Sequence, residues 1–290
     1  MRVHLLLVPY DSAHRGRRMG AGPECLAPAL AERLERAGHA VTREVVEIPE
    51  RVWPAEVGGA FALARRLAEL ARAARADGAF PVVLSGNCMA TLGVVGALGA
   101  GARVAWFDAH GDFNTPETTT GGFLDGMALA TLVGRCWTVI ARTVPGFVPV
   151  AERDVRLLGA RDLDPLEEEA LRDSGVRMVP AAEVGERAAA ALAERAAREG
   201  VRQLHVHLDL DVLDPAEGRA NALAVPGGGS LDALGALLGA LAARAPVAAL
   251  TLSAYDPACD ADGRVARAAT TAAATLAAAL TGSRPAARPA

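Results

Sequence analysis

The sequence contains few cysteines and no concentration of positive charge. Its four cysteines are scattered without a CxxC pair, which excludes a disulfide framework in a chain of 290 residues. No cluster of basic residues occurs, and the formal net charge of −4 argues against non-specific binding to phosphate groups. We therefore expect no nucleic-acid partner.

Long apolar runs are also missing. The apolar run at residues 3–8 is too short for the core of a signal peptide and has no small-residue cleavage site, so it predicts a first strand. The stretches at residues 188–193 and 268–280 are rich in Ala, not in Leu, Ile and Phe as membrane spans are. These absences predict a cytoplasmic protein without a membrane partner.

Short Val/Leu runs alternate along the chain with Ala/Leu/Arg/Glu stretches of helical period. Continuous apolar strands separated by helices are typical of an α/β protein whose parallel sheet is covered on both faces. The predicted strands are residues 3–8, 40–46, 80–84, 103–107, 155–159, 177–179, 203–208 and 247–252. The predicted helices are residues 23–37, 55–76, 88–98, 126–133, 165–174, 181–199, 230–243 and about 258–280.

No internal repeat or domain boundary is evident in the sequence. We therefore predict a single domain over residues 1–281, followed by a disordered tail at residues 282–290, where Pro, Ala and Arg predominate.

Two acidic runs follow predicted strands. The first presents Asp108, His110 and Asp112 at alternate positions, and the second presents Asp209 and Asp211. Alternate residues of an extended segment point the same way, and ligands of parallel sheets bind at the carboxyl ends of strands. Bridging carboxylates hold two cations about 3.5 Å apart, and carboxylates with an imidazole suit Mn²⁺. The runs predict a two-metal hydrolytic site, although a single such Asp would more simply cap the next helix.

Four segments resemble the arginase (ureohydrolase) family. Residues 108–120 read DAHGDFNTPETTT and are similar to its DAHxDxNTPxTT segment, while residues 207–215 are similar to its DxDxxDP segment. Residues 20–23 resemble the family's Gly-Pro entry into the first helix, and residues 159–165 resemble its GxRDxDP segment. The two metal segments are specific when they occur together in this order.

The resemblance implies a three-layer α/β/α sandwich with an eight-stranded, mostly parallel sheet. It also implies two Mn²⁺ ions per chain, hydrolysis of a C–N bond in a small linear guanidine or amidine, and a homo-oligomer, either a trimer or a hexamer. By position, Asp108 and Asp209 would bridge the ions, Asp112 would complete one, and His110 with Asp211 the other. A metal-bridging hydroxide would attack the guanidinium carbon, and Asp112 would orient it and pass its proton to the leaving amine.

Cys88 stands where the family has a metal-binding His. It is either a sixth metal ligand or a buried small hydrophobe, and its position favours ligation. A smaller set of arginase-like enzymes, including the N-hydroxyarginine hydrolase of cycloserine biosynthesis, also carries Cys there. Thiolate prefers softer ions, so zinc or iron is an alternative to manganese.

Two further residues are candidates for a catalytic role beside Asp112. Asp125 replaces a His that shuttles protons in arginase itself, and it either accepts a proton or caps the helix that follows. His207 lies two residues before Asp209 on the same strand face and could support the metal ligands. His205, by contrast, is expected to be a core residue.

The substrate contacts of the family are only partly present. Gly121 and Phe123 replace polar contacts to an amino-acid substrate, and Ala254 stands where a Glu would hold the guanidinium. The candidate substrate-binding residues are Asn114, Glu117, Asp164 and Asp256, with Asp125 as a further replacement for the missing Glu. The missing Glu leaves open a formimino-type or amide-type C–N hydrolase, and a degenerate, non-catalytic family member.

Overall fold

The computed structural model describes residues 1–49 and 55–283. In chain order its strands are β1 (Arg2–Val8), β2 (Tyr10–Asp11), β3 (His14–Arg15), β4 (Ala40–Val45), β5 (Phe80–Ser85), β6 (Arg103–Phe107), β7 (Val155–Leu158), β8 (Arg177–Val179), β9 (Leu204–Asp209) and β10 (Val247–Ser253). The α-helices of the same ranges are α1 (Gly22–Arg36), α2 (Glu56–Ala76), α3 (Thr91–Leu98), α4 (Ala128–Leu132), α5 (Thr138–Ala141), α6 (Pro165–Arg172), α7 (Glu186–Arg198), α8 (Leu231–Arg244) and α9 (Arg264–Ser283).

Eight of the strands form one sheet in the order β4-β1-β5-β10-β9-β6-β7-β8, and every pairing in it is parallel. Apolar side chains of α1, α7, α8 and α9 pack on one face of the sheet, and those of α2, α3, α4 and α6 on the other. The sequence predicted this three-layer α/β architecture, and it is confirmed. The central strands β5 and β9 are buried at every residue. Burial on both faces explains the apolar run of β5, whereas β9 also buries His205, His207 and Asp209.

The structure corrects several boundaries. The last helix begins at Arg264 instead of about residue 258, because the carboxylate of Asp260 accepts hydrogen bonds from the backbone N–H groups of Val265 and Ala266. That helix continues to Ser283, so the start of the predicted tail is helical, and the rest of the tail lies outside the described residues. The single-domain prediction stays a prediction. Among the described residues, no helix combines the length and apolar character that crossing a bilayer would require.

The sheet topology positions the chemically active loops. Strands β5, β10, β9 and β6 are neighbours in the sheet although they are far apart in sequence. Their carboxyl ends therefore bring together the loops that begin at Gly86, Ala254, Leu210 and Asp108. A crevice at such a point is where open parallel sheets bind their ligands.

Candidate metal centre

A cavity of about 320 Å³ opens at the carboxyl ends of these four strands. This volume suits a small-molecule site. All the metal ligands predicted from the sequence line it: Cys88, Asp108, His110, Asp112, Asp209 and Asp211. The tertiary structure thus brings the two acidic runs and the cysteine into one place.

Four of these ligands, together with His207, form two groups that share one carboxylate. Cys88, Asp108 and His207 offer one atom each within 4.8 Å of one another, and so do Asp108, His110 and Asp211. The ring Nδ1 of His110 lies 3.3 Å from Asp108 and 3.4 Å from Asp211. A carboxylate common to two ligand groups is the arrangement expected of a bridging ligand.

The donor chemistry fits divalent cations. Asp112 Oδ2 is buried without any hydrogen-bond partner, and Cys88 Sγ lies 3.0 Å from Asp209 Oδ2. Burial, together with the charge of Asp108, raises the pKa of Asp112 well above its usual range, and burial with the Asp211 charge does the same for Asp209. Bound cations would reverse this repulsion, because they compensate the crowded negative charge.

Backbone geometry fixes the ligand positions. The N–H groups of His110 and Asp211 donate to Asp108 Oδ1 at 2.8 Å and to Asp209 Oδ1 at 2.9 Å. Asp112 adopts a left-handed conformation with φ of 48°, which Asp tolerates better than most residues. At Gly111 an added Cβ would lie 2.6 Å from the carboxylate of Glu167, so a larger residue would displace that carboxylate from its place against the loop.

Asp125 anchors the turn that carries Cys88. Its carboxylate accepts hydrogen bonds from Asn87 Nδ2 at 2.9 Å, the Cys88 N–H at 3.0 Å and the Met89 N–H at 2.9 Å. Burial raises the pKa of Asp125 to about 7, although these hydrogen bonds favour the charged form. The carboxylate therefore caps the turn at Cys88–Ala90 and not the helix after Gly126. Its role in proton transfer stays a prediction.

At a pH above the raised pKa of about 7, where Asp125 is ionised, an Asp125→Asn variant is expected to lose about 1–3 kcal/mol of stability in the metal-free protein. The amide offers one acceptor oxygen where the carboxylate offers two, so a buried N–H of Cys88 or Met89 loses its partner. Urea denaturation measures the loss. Asp162→Asn is the matched control, because the side chain of Asp162 lines the same cavity but is 59% exposed. Equal stability of the two variants would contradict the anchoring role.

The same carboxyl gives this stability a pH dependence. Folding raises the pKa of Asp125 to about 7, so the folded chain holds this proton more tightly than the unfolded chain. Its contribution is fully present below about pH 4, the ordinary range of Asp, and is lost as the pH rises through 7. In the metal-free protein, the free energy of unfolding should therefore fall as the pH rises toward and through 7. Asp125→Asn should remove this part of the pH dependence, which urea denaturation at several pH values measures.

Only part of the predicted substrate set reaches the cavity. Asn114 and Asp164 line it, and Asn114 Nδ2 donates to Asp164 Oδ2 at 2.9 Å. Glu117 is exposed, and the carboxylate of Asp256 accepts from the Ala258 N–H at 3.0 Å; neither belongs to the cavity lining that the structure describes. The geometry therefore leaves Glu117 and Asp256 without a contact to this site.

Two supporting residues were not found from the sequence. Glu167 accepts from the Phe113 N–H at 2.8 Å and the Asp164 N–H at 3.2 Å, so it ties the first acidic loop to the start of α6. The capping-box spacing of Asp164 and Glu167 was a signal for it. Asn221 donates to Asp211 Oδ2 at 3.2 Å and to the carbonyl of Ala254 at 2.8 Å, and nothing in its local sequence indicates this.

Arg161 stabilises the loop that follows Asp211. The Arg161 guanidinium donates to backbone carbonyls of the connection between β9 and α8, including those of Asp211 at 3.1 Å and Val225 at 2.8 Å. It thus holds the backbone beside the second ligand group.

The sheet and its ligand groups define an α/β protein with an acidic metal-ligand cluster at a topological switch point. The Arginase family model matches residues 1–279, and the chain therefore belongs to the arginase family.

Curated relatives and solved structures agree with this assignment. The chain is 31% identical over 267 residues to an arginase of Brucella melitensis, covering 84% of this chain and 80% of that one. It is 33% identical over 216 residues to an N(omega)-hydroxy-L-arginine amidinohydrolase of Streptomyces lavendulae, covering 73% and 74%. The crystal structure of an arginase from Bacillus cereus superimposes with a TM-score of 0.84 at 26% identity, covering 98% of this chain and 99% of that chain.

Proposed function

We propose that this protein is a metal-dependent hydrolase that cleaves a C–N bond of a small linear guanidine or amidine. The observation that carries the proposal is the convergence of all six predicted ligands in one cavity, four of them in two groups that share Asp108. Family membership supports it, since the similar proteins include an arginase and an N(omega)-hydroxy-L-arginine amidinohydrolase. A cytoplasmic location and a trimeric or hexameric assembly remain predictions.

Two cations in this site would lower the pKa of a shared water and so supply the nucleophile. Mn²⁺ is the expected ion, with zinc or iron as the alternative beside Cys88. The protein's own residues would hold the ions in place and transfer a proton. Asp112 Oδ2 is buried and has no hydrogen-bond partner, so it is available to accept a proton and to deliver it to the leaving amine.

The charge of the cavity favours a cationic substrate. Beyond the metal ligands its lining includes the carboxyls of Asp125, Asp162, Asp164 and Glu167, and none of the described lining residues is Arg. Two divalent ions would compensate four carboxylates, which leaves the remaining acids to attract a guanidinium or amidinium group. Asp162 and Asp164 then take the place of the missing Glu.

A second candidate is hydrolysis of a formimino or amide-type C–N bond. Ala254 favours it, because this residue lines the cavity where a guanidinium-holding Glu was expected. A non-catalytic role is less well supported, since a site without chemistry has no need for two convergent ligand groups.

A panel of arginine, N-hydroxyarginine, agmatine, guanidino acids and formimino amino acids separates these candidates. The enzyme is incubated with Mn²⁺, and products are followed by mass spectrometry. We expect urea or a substituted urea from at least one guanidine. Formamide from a formimino substrate, with no urea from any guanidine, would favour the second candidate. Binding of two cations without turnover of any compound would favour the non-catalytic role.

A further inference from the structure

His207 belongs to a ligand group, which distinguishes it from an ordinary core histidine. A ring nitrogen of His207, the Sγ of Cys88 and a carboxylate oxygen of Asp108 lie within 4.8 Å of one another, and all three residues are buried. Asp112 lines the cavity together with Cys88 and Asp108, and its Oδ2 is buried without a partner. An unsatisfied carboxylate in a cavity with a thiol and a second carboxylate indicates a place for a cation.

The imidazole of His207 is held on two sides. It faces Trp106 across the β6–β9 pairing, with ring centroids 3.8 Å apart and planes inclined by 27°. The indole Nε1 of Trp106 donates to Asp108 Oδ2 at 3.0 Å, so one ring contacts two of the three members of the group. On the other side, Thr91 Oγ1 lies 2.6 Å from His207 Nδ1.

These contacts leave Nε2 as the nitrogen that faces Cys88. Nε2 lies 3.3 Å from Ser253 Oγ, and the same hydroxyl lies 3.4 Å from Cys88 Sγ. An acceptor on one ring nitrogen, usually a carboxylate, carbonyl or water, orients the other nitrogen of a histidine ligand toward its metal. The Thr91 hydroxyl lies where such an acceptor is needed.

His205 shows what the same strand does without a site. It is also fully buried on β9 and also lies beside a β10 hydroxyl, with Nε2 3.3 Å from Thr251 Oγ1. Its Nδ1 has no partner, and among the described residues it belongs to no group of ligand atoms. Burial on β9 therefore does not by itself produce the arrangement around His207.

We propose that His207 is a ligand of the metal ion beside Cys88. With Cys88 and Asp108 it completes a sulfur–nitrogen–oxygen set that prefers Zn²⁺ or a similarly soft ion to Mn²⁺. Mixed thiolate and imidazole donors are typical of zinc sites, whereas the carboxylates with His110 suit a harder ion. A neutral imidazole also adds a ligand without adding negative charge to a site that already contains four carboxylates and a thiol. The inference rests on the proposed two-ion site but not on which C–N bond is cleaved.

The test is direct detection of metal–nitrogen bonds in the whole protein. Metal-free protein with isotope-labelled histidine is loaded with an NMR-active cadmium isotope, and cadmium–nitrogen couplings are recorded. Of the six histidines, only His110 and His207 have a ring nitrogen in a ligand group of the described residues. We expect two coupled histidines, one on each cadmium ion. Two cadmium signals with a single coupled histidine would overturn the inference.

Variants give a second readout through cobalt and zinc titrations. His207→Gln should weaken binding of one ion by more than about tenfold and leave the other unchanged, while the control His205→Gln keeps both. Unchanged affinity for both ions in a folded His207→Gln variant would overturn the inference. If that variant does not fold, the couplings of the unmodified protein decide. If the unmodified protein binds no cation at all, the proposed function fails together with this inference. If it binds two cations but only one histidine is coupled, this inference alone fails.

Discussion

An Asp108→Asn variant should lose hydrolytic activity by more than about a hundredfold and should bind fewer than two cations. Partners outside the coordination sphere typically contribute about 10–100-fold, and Asp108 is the one carboxylate common to both ligand groups. The amide carries no negative charge, so it no longer compensates the positive charge of either ion. Metal analysis after dialysis measures the first effect, and urea release from the best substrate of the panel measures the second.

Asp173→Asn is the matched control for this change. Asp173 is an exposed carboxylate at the end of α6 and does not line the cavity. It should keep the metal content and the turnover of the unmodified protein. Binding of two ions and near-normal turnover in Asp108→Asn would show that Asp108 is not a ligand shared by the two ions.

A Gly86→Ala variant should be destabilised by about 3 kcal/mol, near the upper end for overpacking. An added Cβ would lie 2.2 Å from the carbonyl oxygen of Tyr10 and 2.9 Å from the backbone N and Cα of Gly20. Backbone atoms cannot move aside as a flexible side chain can. Because Gly86 comes just before the Cys88 turn, the variant should also weaken metal binding. Urea denaturation and metal titration measure the two effects.

Gly121→Ala separates the clash from the general effect of adding a methyl group. Gly121 also lines the cavity, but an added Cβ there has no atom within 4 Å. Its stability should stay within about 0.5 kcal/mol of the unmodified protein. A Gly86→Ala variant as stable as Gly121→Ala would mean that the backbone at Tyr10 and Gly20 can move away from residue 86 without a loss of folding free energy.

Much of the fold followed from local patterns. Local patterns predicted every strand of the large sheet. A strand such as β5 is apolar at successive positions because it is buried on both faces, whereas the edge strands β4 and β8 are partly exposed. Ser230 was expected at the start of a helix, and its side chain accepts a hydrogen bond from the Ala233 N–H at the start of α8. Short elements were not predicted, among them the hairpin of β2 and β3 and the four-residue helix α5. Segments of so few residues are too short to show a hydrophobic periodicity.

The ligand cluster was predictable because its residues lie in short segments at strand ends. Asp108, His110, Asp209 and Asp211 lie at alternate positions where β6 and β9 end, and the parallel sheet places both runs at one edge. Asp211 itself lies in a single 3₁₀ turn, Leu210–Val212, and not on extended chain as the alternation predicted. Sequence alone also identified Cys88, through its place in a known segment. These inferences needed no knowledge of how distant loops pack.

Only the tertiary structure decided which other side chains reach the site. Local sequence treats Glu117 and Asn221 alike, as polar loop residues, yet Glu117 faces solvent and Asn221 binds Asp211. Side-chain direction in a loop depends on the packing around it, which no local period records. The sequence by itself therefore determined the α/β fold and the class of chemistry, and it predicted the ligand types. The packing of β5, β6, β9 and β10 decided that His207 meets Cys88 and that Asp125 anchors the Cys88 turn, because both contacts join residues far apart in the chain.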